Sequence, residues 1–141
     1  LDPIQAAALL VKLPHLENWN DMRRGNAEYY DKSITCRAIT KPALAFGREH
    51  HTYNQYVISV KELRNELKSY LARNEIGSEV YYPVCLHEQE CFNYLGYRSG
   101  DFPNSEYAAK HSLAIPVYPE LTRPMQDYVI EKLEEFYSGK S

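Results

Sequence analysis

An imidazole and two phenols mark the end of an extended segment. Val80-Tyr81-Tyr82-Pro83-Val84 runs through Cys85 and Leu86 to His87, with Glu88 and Glu90 just beyond. Side chains at strand ends and on the loops that follow commonly reach ligands, because the strand fixes their origin and the loop aims them. Period-2 alternation puts Tyr82 on one face with Val80 and Val84, which reads as core, and Tyr81 on the other. His87 and Tyr81 are therefore the candidate ligand-binding pair. The competing reading of His87 is a histidine that bonds its own loop.

The same residue types could serve other chemistries. A metal would have to gather His50, His51, Cys85, His87 and Cys91 from distant loops, whereas zinc sites usually present Cys-x2-4-Cys or His-x3-5-His pairs, so no metal ligand is assigned. Cys85 or Cys91 beside His51 or His87 would make a nucleophile and base, yet no nucleophile elbow or oxyanion loop accompanies them. The thiols read instead as small buried hydrophobes, and no catalytic residue is assigned. Glu88 and Glu90 sit where a helix start favours acids. Arg23-Arg24 and the charges from Lys61 to Lys68 read as solvated helix faces.

These side chains need elements to hold them. Asp2 and Pro3 suit an N-cap and first helical position, and Ile4, Ala8 and Val11 form one stripe. Leu16, Trp19, Arg23, Ala27 and Tyr30 continue it, giving one long helix bent at Pro14. Between Ser33 and His50 the pattern lapses, with Ala43 to Phe46 a candidate short strand. Tyr56, Ile58 and Val60 alternate as a strand with an apolar face. A helix follows from Lys61 to Asn74, burying Leu63, Leu67 and Leu71. A second strand covers Glu79 to Val84, a short helix runs from His87 to Leu95 and stops at Gly96, and another enters through Pro103 with Glu106 in its first turn. Thr122 caps a last helix with the stripe Met125, Val129, Leu133 and Phe136. This order predicts an α+β domain with a mostly antiparallel sheet packed against helices.

Composition removes several function classes. With 141 residues, 44% hydrophobic and 25% charged, the chain reads as a single folded domain. A net charge of -3 without a Lys/Arg cluster argues against nucleic-acid binding. No apolar run approaches the roughly 20 residues that span a bilayer, and the first residues lack the basic-then-apolar order of a signal peptide. An odd set of cysteines, Cys36, Cys85 and Cys91, suits reduced thiols in the cytoplasm. The thirteen tyrosines are the unusual feature, and half-buried surfaces such as pocket walls suit them.

Five pieces in order carry a resemblance. They are Ile4-Gln5-Ala6-Ala7 with Val11-Lys12-Leu13 and Arg23-Arg24; His51-Thr52-Tyr53-Asn54-Gln55-Tyr56-Val57-Ile58; Tyr81 to His87; Gly100-Asp101-Phe102-Pro103 with Glu106-Tyr107-Ala108-Ala109; and Leu113 to Thr122. Together they closely resemble the C-terminal part of the DegT/DnrJ/StrS family of nucleotide-sugar aminotransferases. The resemblance implies the small C-terminal domain, residues 1–141, of a fold-type I enzyme that uses pyridoxal phosphate and works as a homodimer. It further implies a cofactor domain and Schiff-base lysine upstream, so that this chain alone binds no cofactor and is inactive. The intact enzyme would move an amino group from an amino acid, glutamate being the usual donor, to a keto-sugar nucleotide in cell-surface polysaccharide or antibiotic sugar biosynthesis. By the same resemblance, His87 lies near the sugar end of the pocket, and His51 and Asn54 occupy a segment where His-x-x-His is common, Asn54 replacing the second histidine. Rival readings are a sugar dehydratase of the same family and a stand-alone interaction module.

Overall fold

The computed structural model describes residues 2–139. The first helix, α1, spans Pro3–Lys12 and is capped as expected: the Asp2 carboxylate accepts from the Ile4 N–H at 2.8 Å and the Gln5 N–H at 3.3 Å. The bend at Pro14 takes the form of one 3-10 turn, Leu13–His15, before α2 at Leu16–Ser33. Proline has no N–H for the regular ladder, so the chain tightens there and then resumes.

The sheet has three short antiparallel strands, β1 (Ile39–Thr40), β2 (Tyr56–Val60) and β3 (Ser112–Ile115), in that spatial order. Ile58 faces Leu113 across the ladder and Ile39 faces Val60. Tyr56, Ile58 and Val60 are fully buried, as their alternation requires. Their core is shared with Ala27 and Tyr30 of α2, with Leu67 and Leu71 of α3 (Arg64–Arg73), and with Val129, Leu133 and Phe136 of α5 (Arg123–Ser138). The architecture is thus α+β, a small antiparallel sheet under helices, with a long N-terminal helical arm. The Tyr56 hydroxyl donates to Asp31 at 2.6 Å, and burial, followed by that carboxylate, pushes its phenol well above the usual range.

Several expected elements are corrected. The second strand, Glu79 to Val84, is reduced to one antiparallel bridge, in which Glu79 and Ala114 exchange both backbone hydrogen bonds on the free side of β3. Pro83 brings no donor, so pairing does not propagate along the segment. Tyr82, expected in the core, is 77% exposed for the same reason. The helix from His87 to Leu95 is a pair of 3-10 turns, Leu86–Glu88 and Glu90–Leu95, closed as expected by Gly96 at φ 75°. Ala43 to Phe46 forms no strand; the pairing falls to Ile39–Thr40, beside the end of β2.

Side-chain assignments shift by smaller steps. Leu63 stands outside its helix in a left-handed conformation, so α3 buries only Leu67 and Leu71. Met125 is exposed, and the inner face of α5 begins instead at Gln126, which is fully buried. Its Nε2 donates to the Asn26 carbonyl at 2.9 Å, while Asn26 Nδ2 donates to the Tyr118 carbonyl at 2.8 Å, joining α5, α2 and the loop after β3. Thr122 occupies the N-cap of α5 without a side-chain bond.

Candidate functional site

His87 lies in the turn Leu86–Glu88, and its side chain is only 7% exposed. The remaining helix, α4 (Pro103–His111), supplies its partner: His87 Nε2 is 3.1 Å from Glu106 Oε1. The same carboxylate oxygen accepts from the Gly100 N–H at 2.7 Å, and Oε2 accepts from the Ser99 hydroxyl at 3.4 Å. Gly100, at φ 99°, occupies a region that favours glycine, which lets its amide turn toward the carboxylate. Phe102 covers the imidazole at a centroid distance of 4.8 Å, and the Tyr97 edge backs Phe102 at 5.0 Å. The Gly100 amide is the main influence on the Glu106 carboxyl and lowers its pKa; burial opposes it, and with the His87 and Phe102 contacts the net effect remains downward. A buried imidazole is thereby gripped by an ionised carboxylate.

A helix start accounts for an acid at Glu106, but its part in this cradle goes beyond that expectation. The signal was the spacing Gly-Asp-Phe-Pro-x-x-Glu. Pro103 opens α4, and Glu106, within the first turn, reaches the loop before it.

The other predicted residues lie elsewhere. Tyr81 and Asn54 share an open groove of about 430 Å³, lined also by Arg23, Gln55, Ser78 and Tyr118, which includes neither His87 nor His51. His51 instead shapes its own loop: its Nδ1 accepts from the Tyr53 N–H at 2.9 Å, and the two rings stand 4.1 Å apart. Arg24, expected in solvent, is a clamp, donating to the carbonyls of His51 at 3.0 Å and Glu49 at 3.1 Å. With Arg23 reaching the Tyr53 carbonyl at 3.5 Å, α2 holds the segment that enters β2.

His87, Glu88 and Glu106 bring three possible metal-ligand atoms within 4.8 Å of one another. A cation there would compete with the Gly100 and His87 contacts that already occupy Glu106, and no metal is assigned. Of the thiols, Cys85 is buried as expected, but Cys91 is exposed and Cys36 intermediate. No cysteine is hydrogen-bonded to a histidine among the described residues. The gripped imidazole and the tyrosine-lined groove are separate features of the domain.

The model of the DegT/DnrJ/EryC1/StrS aminotransferase family matches residues 1–134. The chain belongs to this family. Among its relatives, the Pleiotropic regulatory protein of Geobacillus stearothermophilus is 41% identical over 140 residues, covering 97% of this chain and 37% of that protein. The dTDP-3-amino-3,6-dideoxy-alpha-D-galactopyranose transaminase of Aneurinibacillus thermoaerophilus is 31% identical, covering 96% of this chain and 36% of that enzyme. In three dimensions the chain is similar to S. venezuelae DesV, solved in complex with a ketimine intermediate, with a TM-score of 0.87 and 29% identity over 96% of this chain and 36% of DesV. The chain therefore spans little more than a third of the length of these family members, and no helix among the described residues is long and apolar enough to cross a membrane.

Proposed function

We propose that residues 1–141 are the small C-terminal domain of a pyridoxal phosphate-dependent aminotransferase that passes an amino group from an amino acid, glutamate, to a keto-sugar nucleotide. The observation that carries this reading is the gripped imidazole of His87, in a family segment that aligns with a dTDP-sugar transaminase over 96% of the chain. His87 lines the sugar end of the cleft, with Tyr81, His51 and Asn54 contributing to the substrate side. The intact enzyme acts in the cytoplasm as a homodimer, in cell-surface polysaccharide or antibiotic sugar biosynthesis.

The cofactor, when bound, supplies the electron sink for amino transfer. The candidate binding groove does not fit it. Lys32, Lys68 and Lys132 are paired with Glu28, Glu79 and Glu135, and the Lys41 ammonium donates to the Asp31 and Ile34 carbonyls. No lysine lines the groove that contains Tyr81 and Asn54. The chain alone is therefore expected to form no stoichiometric lysine adduct with pyridoxal phosphate. Absorption spectra after dialysis test this, and a retained Schiff-base band assigned to one lysine would overturn it. In the full-length protein the same treatment should retain the band.

The arm α1 supports a shared surface. It buries none of its residues; Ile4, Leu10 and Val11 are 82%, 69% and 73% exposed, and Leu9, Leu13, Leu16 and Trp19 border an apolar groove of about 520 Å³. In the full-length enzyme a large domain or a partner subunit covers this strip. Alone, the chain should self-associate in sedimentation experiments, and Leu10→Asp with Leu13→Asp should abolish this while changing stability by only about 0.5 kcal/mol. A wild-type chain that stays monomeric at high concentration would count against the strip. Tyr29 does not add to it: Arg123 stacks 3.5 Å from its ring centroid, and its hydroxyl bonds Asp127.

A second reading, a non-catalytic interaction module, is favoured by the regulatory name of the Geobacillus relative. A sugar dehydratase of the same family would differ at the cofactor lysine. Assaying the full-length protein with glutamate and a keto-sugar nucleotide separates the three: amino transfer supports the first, loss of a sugar hydroxyl the dehydratase, and neither the module.

A further inference from the structure

We propose that Glu106 is a positioning residue for His87: it fixes the imidazole as the Nε2–H form, so that Nδ1 is the atom offered to a hydroxyl of the sugar. The inference rests on the reading of His87 as a sugar-facing group and adds how that group is set.

A carboxylate can only accept, so a ring nitrogen 3.1 Å from Glu106 Oε1 must carry its hydrogen. In a neutral ring the hydrogen on Nε2 leaves Nδ1 as the acceptor. Nδ1 makes no hydrogen bond among the described residues, whereas Nε2 is committed. The carboxylate is held in its turn. The Gly100 amide binds the same oxygen at 2.7 Å and Ser99 touches the other, so Glu106 cannot swing away without stranding a backbone donor. Phe102 limits tilting of the ring from its face. The cradle is built from three sites in sequence: the turn at Leu86–Glu88, the loop at Ser99–Gly100 and the first turn of α4. A histidine bonding only its own loop would need none of the last two.

Two substitutions separate positioning from folding. Oε1 accepts from both Gly100 and His87, so in Glu106→Gln an amide oxygen in its place keeps both contacts while the amide nitrogen faces Ser99, and the Nε2–H form should persist with little change in melting temperature. Glu106→Leu leaves His87 Nε2 without an acceptor. The expected result is a mixture of the Nε2–H and Nδ1–H forms, read from the imidazole nitrogen resonances of the chain. In the full-length enzyme Glu106→Leu should slow the keto-sugar half-reaction by about 10- to 100-fold, the size found when the orienting partner of a metal-bound histidine is removed, while amine loading of the cofactor stays near the parent rate. Glu106→Gln should keep most of the sugar-step rate.

A Glu106→Leu variant that retains the Nε2–H form alone overturns the proposal. So does one that transfers to the sugar at the parent rate while His87→Ala does not. If Glu106→Leu mixes the tautomers and neither it nor His87→Ala slows the sugar step, the hydrogen-bond assignment stands and the placement of His87 at the sugar is what fails.

Discussion

Replacing His87 by alanine in the full-length enzyme is expected to slow amino transfer to the keto-sugar nucleotide by about 10- to 100-fold and to leave loading of the cofactor by the amino acid within about twofold. The size follows from losing one well-placed hydrogen bond, about 1–3 kcal/mol, at a factor of ten for each 1.4 kcal/mol. The selectivity follows from geometry. His87 is held by Glu106 and Phe102, and Glu106 in turn by Gly100, all within this chain and none of them part of the groove that holds Tyr81. Stopped-flow traces of the two half-reactions decide the matter. Equal losses in both, or none in either, would return His87 to a structural role. Removing the imidazole also leaves the Glu106 carboxylate one donor poorer, but Gly100 remains bonded to it, so the loop should survive the change.

The separate positions of His87 and Tyr81 sharpen that expectation. Alternation alone makes them one pair at the end of a six-residue strand that runs through Pro83. With pairing confined to Glu79 and Ala114, the chain leaves the sheet early, Tyr81 falls into the groove near Arg23 and Asn54, and His87 travels on to α4. Tyr81→Phe should therefore have an effect distinct from His87→Ala, since the two side chains face different neighbours.

What could be read in advance followed from patterns that depend on a few adjacent residues. Asp2-Pro3 determines its own cap, Pro14 its own turn, and the alternation of Tyr56, Ile58 and Val60 its own face. What could not be read depends on partners distant in the chain. Arg24 looks like a solvated charge until the carbonyls of Glu49 and His51 are brought to it, 25 and 27 residues away. Glu106 meets His87 across 19 residues, and Gln126 is buried only because Asn26, 100 residues earlier, accepts its amide hydrogen. Polar residues of this kind carry no periodic signal, since their burial is made tolerable by one specific partner.

The largest effect on folding should come from Ile58→Ala. Ile58 is fully buried at the middle of the central strand, opposite Leu113, with both outer strands paired to the segment that contains it. Truncating such a side chain removes its transfer free energy and leaves a cavity, costing about 2–5 kcal/mol. For a domain of this size that should lower the melting temperature by about 8–20 °C. Ser59, the next residue, is only half-buried, and Ser59→Ala should stay within about 0.5 kcal/mol of the parent. Paired denaturation curves check both. A loss below about 1 kcal/mol for Ile58→Ala would mean that the helices close over the gap or that the strand is not central to stability. The same variant also separates folding from recognition. Fewer folded molecules reduce both half-reactions in equal proportion, whereas a lost contact at His87 divides them, and only the second pattern locates the sugar.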